Sequence, residues 1–287
     1  MHPTVAPFFH TESCTWSYVV ADPATRAAAI IDAVLDFDVA SGRTATTSAQ
    51  RLLDYLHAQS LDLRWILETH AHADHLSAGH WLKTRCPDAR LAIGAGICEV
   101  QKTFRPMFNL GAHMPVDGSQ FDHLFADGER FAIGDLHAEV IAVPGHTSDS
   151  VTYRIGDAVF VGDSIFMPDS GTARCDFPGG DAHRLYRSIQ RLFALPDATR
   201  VFVCHDYAPG GRACACETTI LEQKIGNIHV RDSIDEDTFV EMRTARDATL
   251  AMPALLLPAV QVNIRAGALP DPEDNGVRYL KLPIDRL

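Results

Sequence analysis

This 287-residue sequence is short of several things, and each shortage narrows what the chain can do. Lys and Arg number 25 against 37 Asp and Glu, for a formal net charge of −12 and a pI near 5.5. No Lys/Arg stripe is present to neutralise phosphates, which argues against a nucleic-acid partner. A small anionic substrate stays open, because a few local arginines suffice to hold one inside an acidic protein. No apolar run approaches the roughly 20 residues that cross a bilayer; the longest near the end, Ala254 to Leu257, is stopped by Pro258. A basic start followed by a long apolar segment is also missing, so the chain reads as soluble, with no membrane partner. The seven cysteines are odd in number in a chain too large to need disulfide staples, which points to a reducing compartment and hence the cytoplasm. Cys214-x-Cys216 has no second pair to complete a zinc site. There is no Gly-x-Ser-x-Gly elbow, and Gly94-Ala95-Gly96 lacks the third glycine of a dinucleotide fingerprint.

No Gly/Ser linker, low-complexity run or internal repeat divides the chain. With 46% hydrophobic residues, a chain of this length can bury one large core, and we expect a single catalytic domain over 1–287. The β-rich runs Ser17 to Val20, Ala28 to Asp32, Trp65 to Glu68, Leu91 to Ile93, Glu139 to Val143, Val151 to Tyr153, Val159 to Val161 and Val201 to Val203 predict strands. The 3.6-residue pattern predicts helices over Thr47–Ala58, Ser77–Thr84, His183–Phe193, Thr218–Asn227 and Glu236–Ala248. From about residue 250, Pro253, Pro258, Pro270 and Pro272 punctuate the chain, which predicts an extended tail packed over the domain. By themselves these patterns support only a mixed α/β domain.

The densest chemistry is Thr69-His70-Ala71-His72-Ala73-Asp74-His75, directly after the strand-like Trp65-Ile66-Leu67. Borderline divalent metals take neutral imidazole nitrogen and carboxylate oxygen, and histidines at i and i+2 on extended chain point to the same side. Further ligand types stand at the ends of other strand-like runs: His146 in Pro144-Gly145-His146, Asp163 in Val161-Gly162-Asp163, and His205 in Val203-Cys204-His205. Four such sites in one chain suggest strand ends converging on a metal. Cys175 and Cys204 lie near these ligands in sequence, and small buried hydrophobes account for them equally well.

In this order, His-x-His-x-Asp-His, Gly-His, Asp and His, the chain resembles the metallo-β-lactamase superfamily. The resemblance implies an αββα sandwich: two packed mixed sheets, helices outside, and the metal at one edge. Two chemistries use that ligand set. A hydrolase holds two zinc ions, one by His70, His72 and His146, the other by Asp74, His75 and His205, with Asp163 bridging, and attacks a carbonyl with metal-bound hydroxide. An oxidative branch holds one ferrous ion in a facial triad of two histidines and a carboxylate.

The flanking text favours the second. Gly171-Thr172-Ala173-Arg174-Cys175-Asp176-Phe177, Cys204-His205-Asp206-Tyr207 and Val262-Asn263-Ile264-Arg265-Ala266-Gly267 resemble segments of the persulfide dioxygenases. That resemblance implies one Fe(II) per chain on His70, His146 and Asp163, with His72, Asp74, His75 and His205 orienting the ligands. It implies Arg174 facing a carboxylate of glutathione persulfide, with Arg265 a weaker candidate and Tyr207 beside the substrate. The competing expectation for Arg174 is a salt bridge to Asp176. The reaction implied uses O2 to convert the persulfide to sulfite and glutathione, in an enzyme that forms a homodimer. The alternative is a dinuclear zinc hydrolase of glutathione thioesters, like glyoxalase II. A cysteine that some family members carry two residues before the arginine is Thr172 here.

Overall fold

The computed structural model describes residues 2–286. One sheet runs in the order β1 (Thr4–His10), β2 (Thr15–Ala21), β3 (Ala27–Ile31), β6 (Asp62–Leu67), β8 (Arg90–Gly94) and β9 (His123–Phe125). Its first three strands pair antiparallel and the rest parallel. The second sheet follows chain order: β10 (Arg130–Ile133), β11 (Leu136–Ala142), β12 (Val151–Ile155), β13 (Ala158–Phe160), β14 (Arg200–Phe202) and β15 (Glu217–Thr219). Only β13 and β14 pair parallel in it. A small ladder of β4 (Val34–Asp38), β5 (Arg43–Ala45) and β7 (Leu76–Ser77) flanks the first sheet.

Strand alternation explains why these sheets stack. Successive side chains leave a strand on opposite faces, so Val20, Ile31 and Leu67 enter the core between the sheets while Val19, Ile30 and Ile66 enter the core beneath the outer helices. From the second sheet Val140, Tyr153, Phe160 and Phe202 fill the same central core. The outer face of the first sheet is covered by α1 (Thr47–Ala58), α2 (Gly79–Arg85), α3 (Ile97–Met107) and α7 (Leu256–Asn263). That of the second is covered by α4 (Ala182–Phe193), α5 (Ile220–Gly226) and α6 (Glu236–Asp247). The result is an αββα sandwich, as the resemblance implied.

Within the C-terminal segment, α7 over Leu256–Asn263 departs from the expectation of an extended tail, while the described residues after it carry no further helix or strand. Pro258 does not stop the apolar run there, because it stands at the third position of α7, where a backbone N–H has no intrahelical partner to lose. Ser77 belongs to β7 rather than opening a helix, and α3 was not foreseen at all. No helix among the described residues is long and apolar enough to cross a membrane.

Candidate metal centre

All seven ligand-type residues arrive at one end of the two sheets. The loop after β6 carries His70, His72, Asp74 and His75; the turns after β11, β13 and β14 carry His146, Asp163 and His205. Two glycines let these turns close. A Cβ on Gly145, whose φ is +150°, would lie 2.3 Å from the Leu185 Cα of α4. A Cβ on Gly162, at φ +53°, would lie 2.7 Å from the Thr69 hydroxyl beside His70. Only a residue without a side chain fits either place.

The side chains form two groups around a shared carboxylate. In the first, Asp163 Oδ2 lies 3.9 Å from His70 Nε2 and 3.6 Å from His146 Nε2. In the second, His205 Nε2 lies 3.2 Å from Asp163 Oδ1 and 3.3 Å from Asp74 Oδ2, with His75 and His72 alongside. His72 does not join His70 and His146, as the dinuclear allocation expected. Its Nε2 is drawn to Asp32 Oδ1 at 3.1 Å, with Glu68 Oε2 at 3.9 Å. The i, i+2 argument fails here because residues 68–75 form an irregular loop rather than extended strand: the two rings pack at a centroid distance of 4.0 Å, but His72 turns its Nε2 to Asp32.

Hydrogen bonds outside the groups fix which ring nitrogen faces inward. His146 Nδ1 lies 2.7 Å from the Arg174 carbonyl; a carbonyl only accepts, so Nδ1 carries the proton and Nε2 offers a lone pair. Thr69 donates its hydroxyl to Asp32 and so accepts from His70 Nδ1 at 3.0 Å, which leaves His70 Nε2 free in the same way. Asn263 of α7 donates to the carbonyls of His72 and His75 and accepts from the Ser77 N–H. Asp32, Thr69 and Asn263 were not singled out from the sequence. Asn263 stood inside a quoted motif, yet nothing local tied it to a loop almost two hundred residues away.

The electrostatics suit a cation. Burial, then the neighbouring His72, hold His70 well below its ordinary range, and the same causes hold His75 at about 4, so both are neutral donors at neutral pH. Burial opposes ionisation of Asp163, yet His205, His70 and His146 hold it well below the usual carboxylate range. His205, despite burial, is pushed up to about 10 by Asp163 and Asp74, so a cation taking its Nε2 displaces a proton. His70 Nε2, His75 Nε2, His205 Nε2, Asp74 Oδ2 and Asp163 Oδ1 are all buried without a hydrogen-bond partner. Buried polar atoms are almost always satisfied, and this set fits a divalent metal.

Beside the groups opens a cavity of about 460 Å³, reached by Asp74, His146 and Asp163 and walled by Phe166, Phe177 and Tyr207. Tyr207 stacks its ring on His205 at 6.1 Å and is 57% exposed. Arg174 also lines it, but its guanidinium is bidentate on Asp176 at 2.6 and 2.7 Å and donates to the Ala251 carbonyl. Arg265 is placed elsewhere: it lines a separate cavity of about 800 Å³ and donates back to Gln261 of α7. Cys204 is buried beneath the second group, and Cys175 is buried in the core under α4.

Residues 12–205 match the metallo-beta-lactamase superfamily. A probable metallo-hydrolase of Burkholderia pseudomallei is 51% identical, over 99% of this chain and 100% of its own length. The mitochondrial persulfide dioxygenase ETHE1 of Bos taurus is 28% identical, over 90% of this chain and 87% of its own. The crystal structure of ETHE1 from Myxococcus xanthus, at 31% identity, covers 92% of this chain and 100% of that one with a TM-score of 0.73. With its ligand series, its sandwich and these likenesses, the chain belongs to the metallo-β-lactamase superfamily.

Proposed function

We propose that this protein is a mononuclear iron persulfide dioxygenase, acting on glutathione persulfide and O2 to yield sulfite and glutathione. The observation that carries this reading is the grouping of His70, His146 and Asp163, two imidazoles and one carboxylate, without His72, whose Nε2 faces Asp32 Oδ1 at 3.1 Å. That donor set is the one that holds ferrous iron with open positions. The similarity to persulfide dioxygenase ETHE1 supports it. An odd number of cysteines, seven, in a chain of this size supports a reducing compartment such as the cytoplasm.

His70, His146 and Asp163 would hold the iron. When bound, the ion supplies electron exchange with O2, which zinc cannot offer. The Arg174 carbonyl and Thr69 keep both imidazoles in the donor tautomer. Phe166, Phe177 and Tyr207 wall the cavity that would take the reacting sulfur, and His205, with Nε2 3.2 Å from the second carboxylate oxygen of Asp163, would help position it. Overall the persulfide sulfur is oxidised from 0 to +4 while O2 accepts four electrons; one water then enters, the S–S bond breaks, and the carrier leaves as its thiol.

The test is metal analysis of anaerobically purified protein, with O2 uptake followed against sulfite. We expect one iron per chain and O2 consumed in step with sulfite. Asp74→Ala should retain that iron and lose roughly 10- to 100-fold in rate, as for groups that orient ligands.

One observation favours a second reading. Asp163 lies between both groups, as a bridging carboxylate would, and the relative named a probable metallo-hydrolase is 51% identical. A dinuclear zinc hydrolase of glutathione thioesters would bind two zincs, act without O2, and drop to one zinc on Asp74→Ala; that result displaces the dioxygenase.

A further inference from the structure

The cavity beside the metal ligands receives three guanidinium groups, from Arg174, Arg243 and Arg246, and two of them are already matched. Arg174 is clamped by Asp176. Arg243, 1% exposed, donates from Nε to Asp247 Oδ1 one turn along α6 at 2.9 Å, forms an ion pair with the same oxygen through Nη2, and donates from Nη1 to the Thr172 carbonyl. Arg246 differs. It lines the same cavity in the last turn of α6 and is exposed. Among the described residues no carboxylate lies within ion-pair reach of it, and its side chain makes no hydrogen bond.

We propose that Arg246 is the residue that selects for a carboxylate on the carrier thiol of the substrate. The assignment rests on the persulfide reading above and moves the anion-binding role from Arg174 to α6. A cation with no partner is the one that gains most from an incoming anion, since Arg174 and Arg243 would have to surrender a carboxylate first. α6 is also fixed relative to the metal. Arg243 holds the Thr172 carbonyl and Asp247 accepts from the Cys175 N–H, so both ends of the segment whose Arg174 carbonyl orients His146 are tied to the helix that presents Arg246. A substrate bridging Arg246 and the His70–His146–Asp163 group would thus span two points of one braced wall. Apolar side chains in the lining of the same cavity, Phe177 and Leu250 among them, suit the uncharged middle of a short thiol carrier such as a peptide.

The competing account is that Arg246 merely complements the C-terminal dipole of α6. Calorimetric binding of S-methylglutathione to the iron-loaded protein, which reads recognition without turnover, separates the two. We expect Arg246→Ala to bind the probe about 10- to 100-fold more weakly, with Arg246→Lys recovering part of the loss. The probe with both carboxylates esterified should bind wild type and Arg246→Ala alike, and iron content and melting temperature should be those of the wild type. Equal binding of the free-acid probe by wild type and Arg246→Ala overturns the proposal, as does a wild type that does not bind it. Absence of O2 uptake with glutathione persulfide would overturn the dioxygenase reading, and Arg246-dependent binding in that case still supports the anion site.

Discussion

At the scale of single residues, the informative distinction is between side chains that face the cavity and side chains that hold them. His70 Nε2 and Asp163 Oδ1 are buried with no hydrogen-bond partner, and the proposed triad of His70, His146 and Asp163 has no ligand to spare. His70→Ala, His146→Ala and Asp163→Ala should therefore each lose bound iron and turnover together. Metal content of the purified variants checks this; a variant retaining wild-type iron removes that residue from the triad. The holding residues are no less specific. Thr69 and the Arg174 carbonyl contribute no ligand atom, yet they decide which nitrogen of each ring is free.

At the scale of elements, the decisive one is α7, which the prolines of the tail concealed. Through Asn263 it satisfies two carbonyls of the metal loop and the N–H of Ser77, all from one buried amide. Asn263→Ala would strand three buried backbone groups, at a cost of about 3 kcal/mol, and free the loop that carries Asp74 and His75. We expect a lower melting temperature and reduced metal occupancy in the same variant. Wild-type values of both would show that the loop holds its shape without α7. The opposite wall follows similar logic: Gly145 lets the His146 turn lie against the backbone of α4, so the position of a ligand is set by the closeness of a helix.

At the scale of the whole molecule, ligands from both sheets meet at one rim, so metal affinity and global stability are linked. Acid attacks that linkage at a distance as well. His229 accepts the Thr172 N–H on Nδ1 at 3.0 Å, and burial, followed by Arg243 and Arg246, holds it at about 4 against an ordinary 6.5. The unfolded chain therefore takes up a proton near 6.5 that the folded protein refuses until about 4, so stability falls as pH drops through that window. Urea denaturation of wild type and His229→Asn across that range should show the variant with the shallower decline. Equal slopes would mean that His229 remains neutral in neither state or in both.

The αββα sandwich was implied by the resemblance to the metallo-β-lactamase superfamily, and that resemblance was legible because the ligand series is a local pattern: each ligand follows a β-rich run; α1 likewise begins and ends where its periodicity places it. What residue spacing could not decide was every question about rings and charges in space. Nothing local shows that Asp32 engages His72, that Arg265 faces another cavity, or that Arg246 arrives unpaired in the cavity beside the metal ligands; the Arg174–Asp176 pair, two residues apart, could be expected from the sequence. Ligand type and order are properties of the chain. The direction of a lone pair and the availability of a charge depend on partners distant in sequence, and only the packed structure brings those partners together.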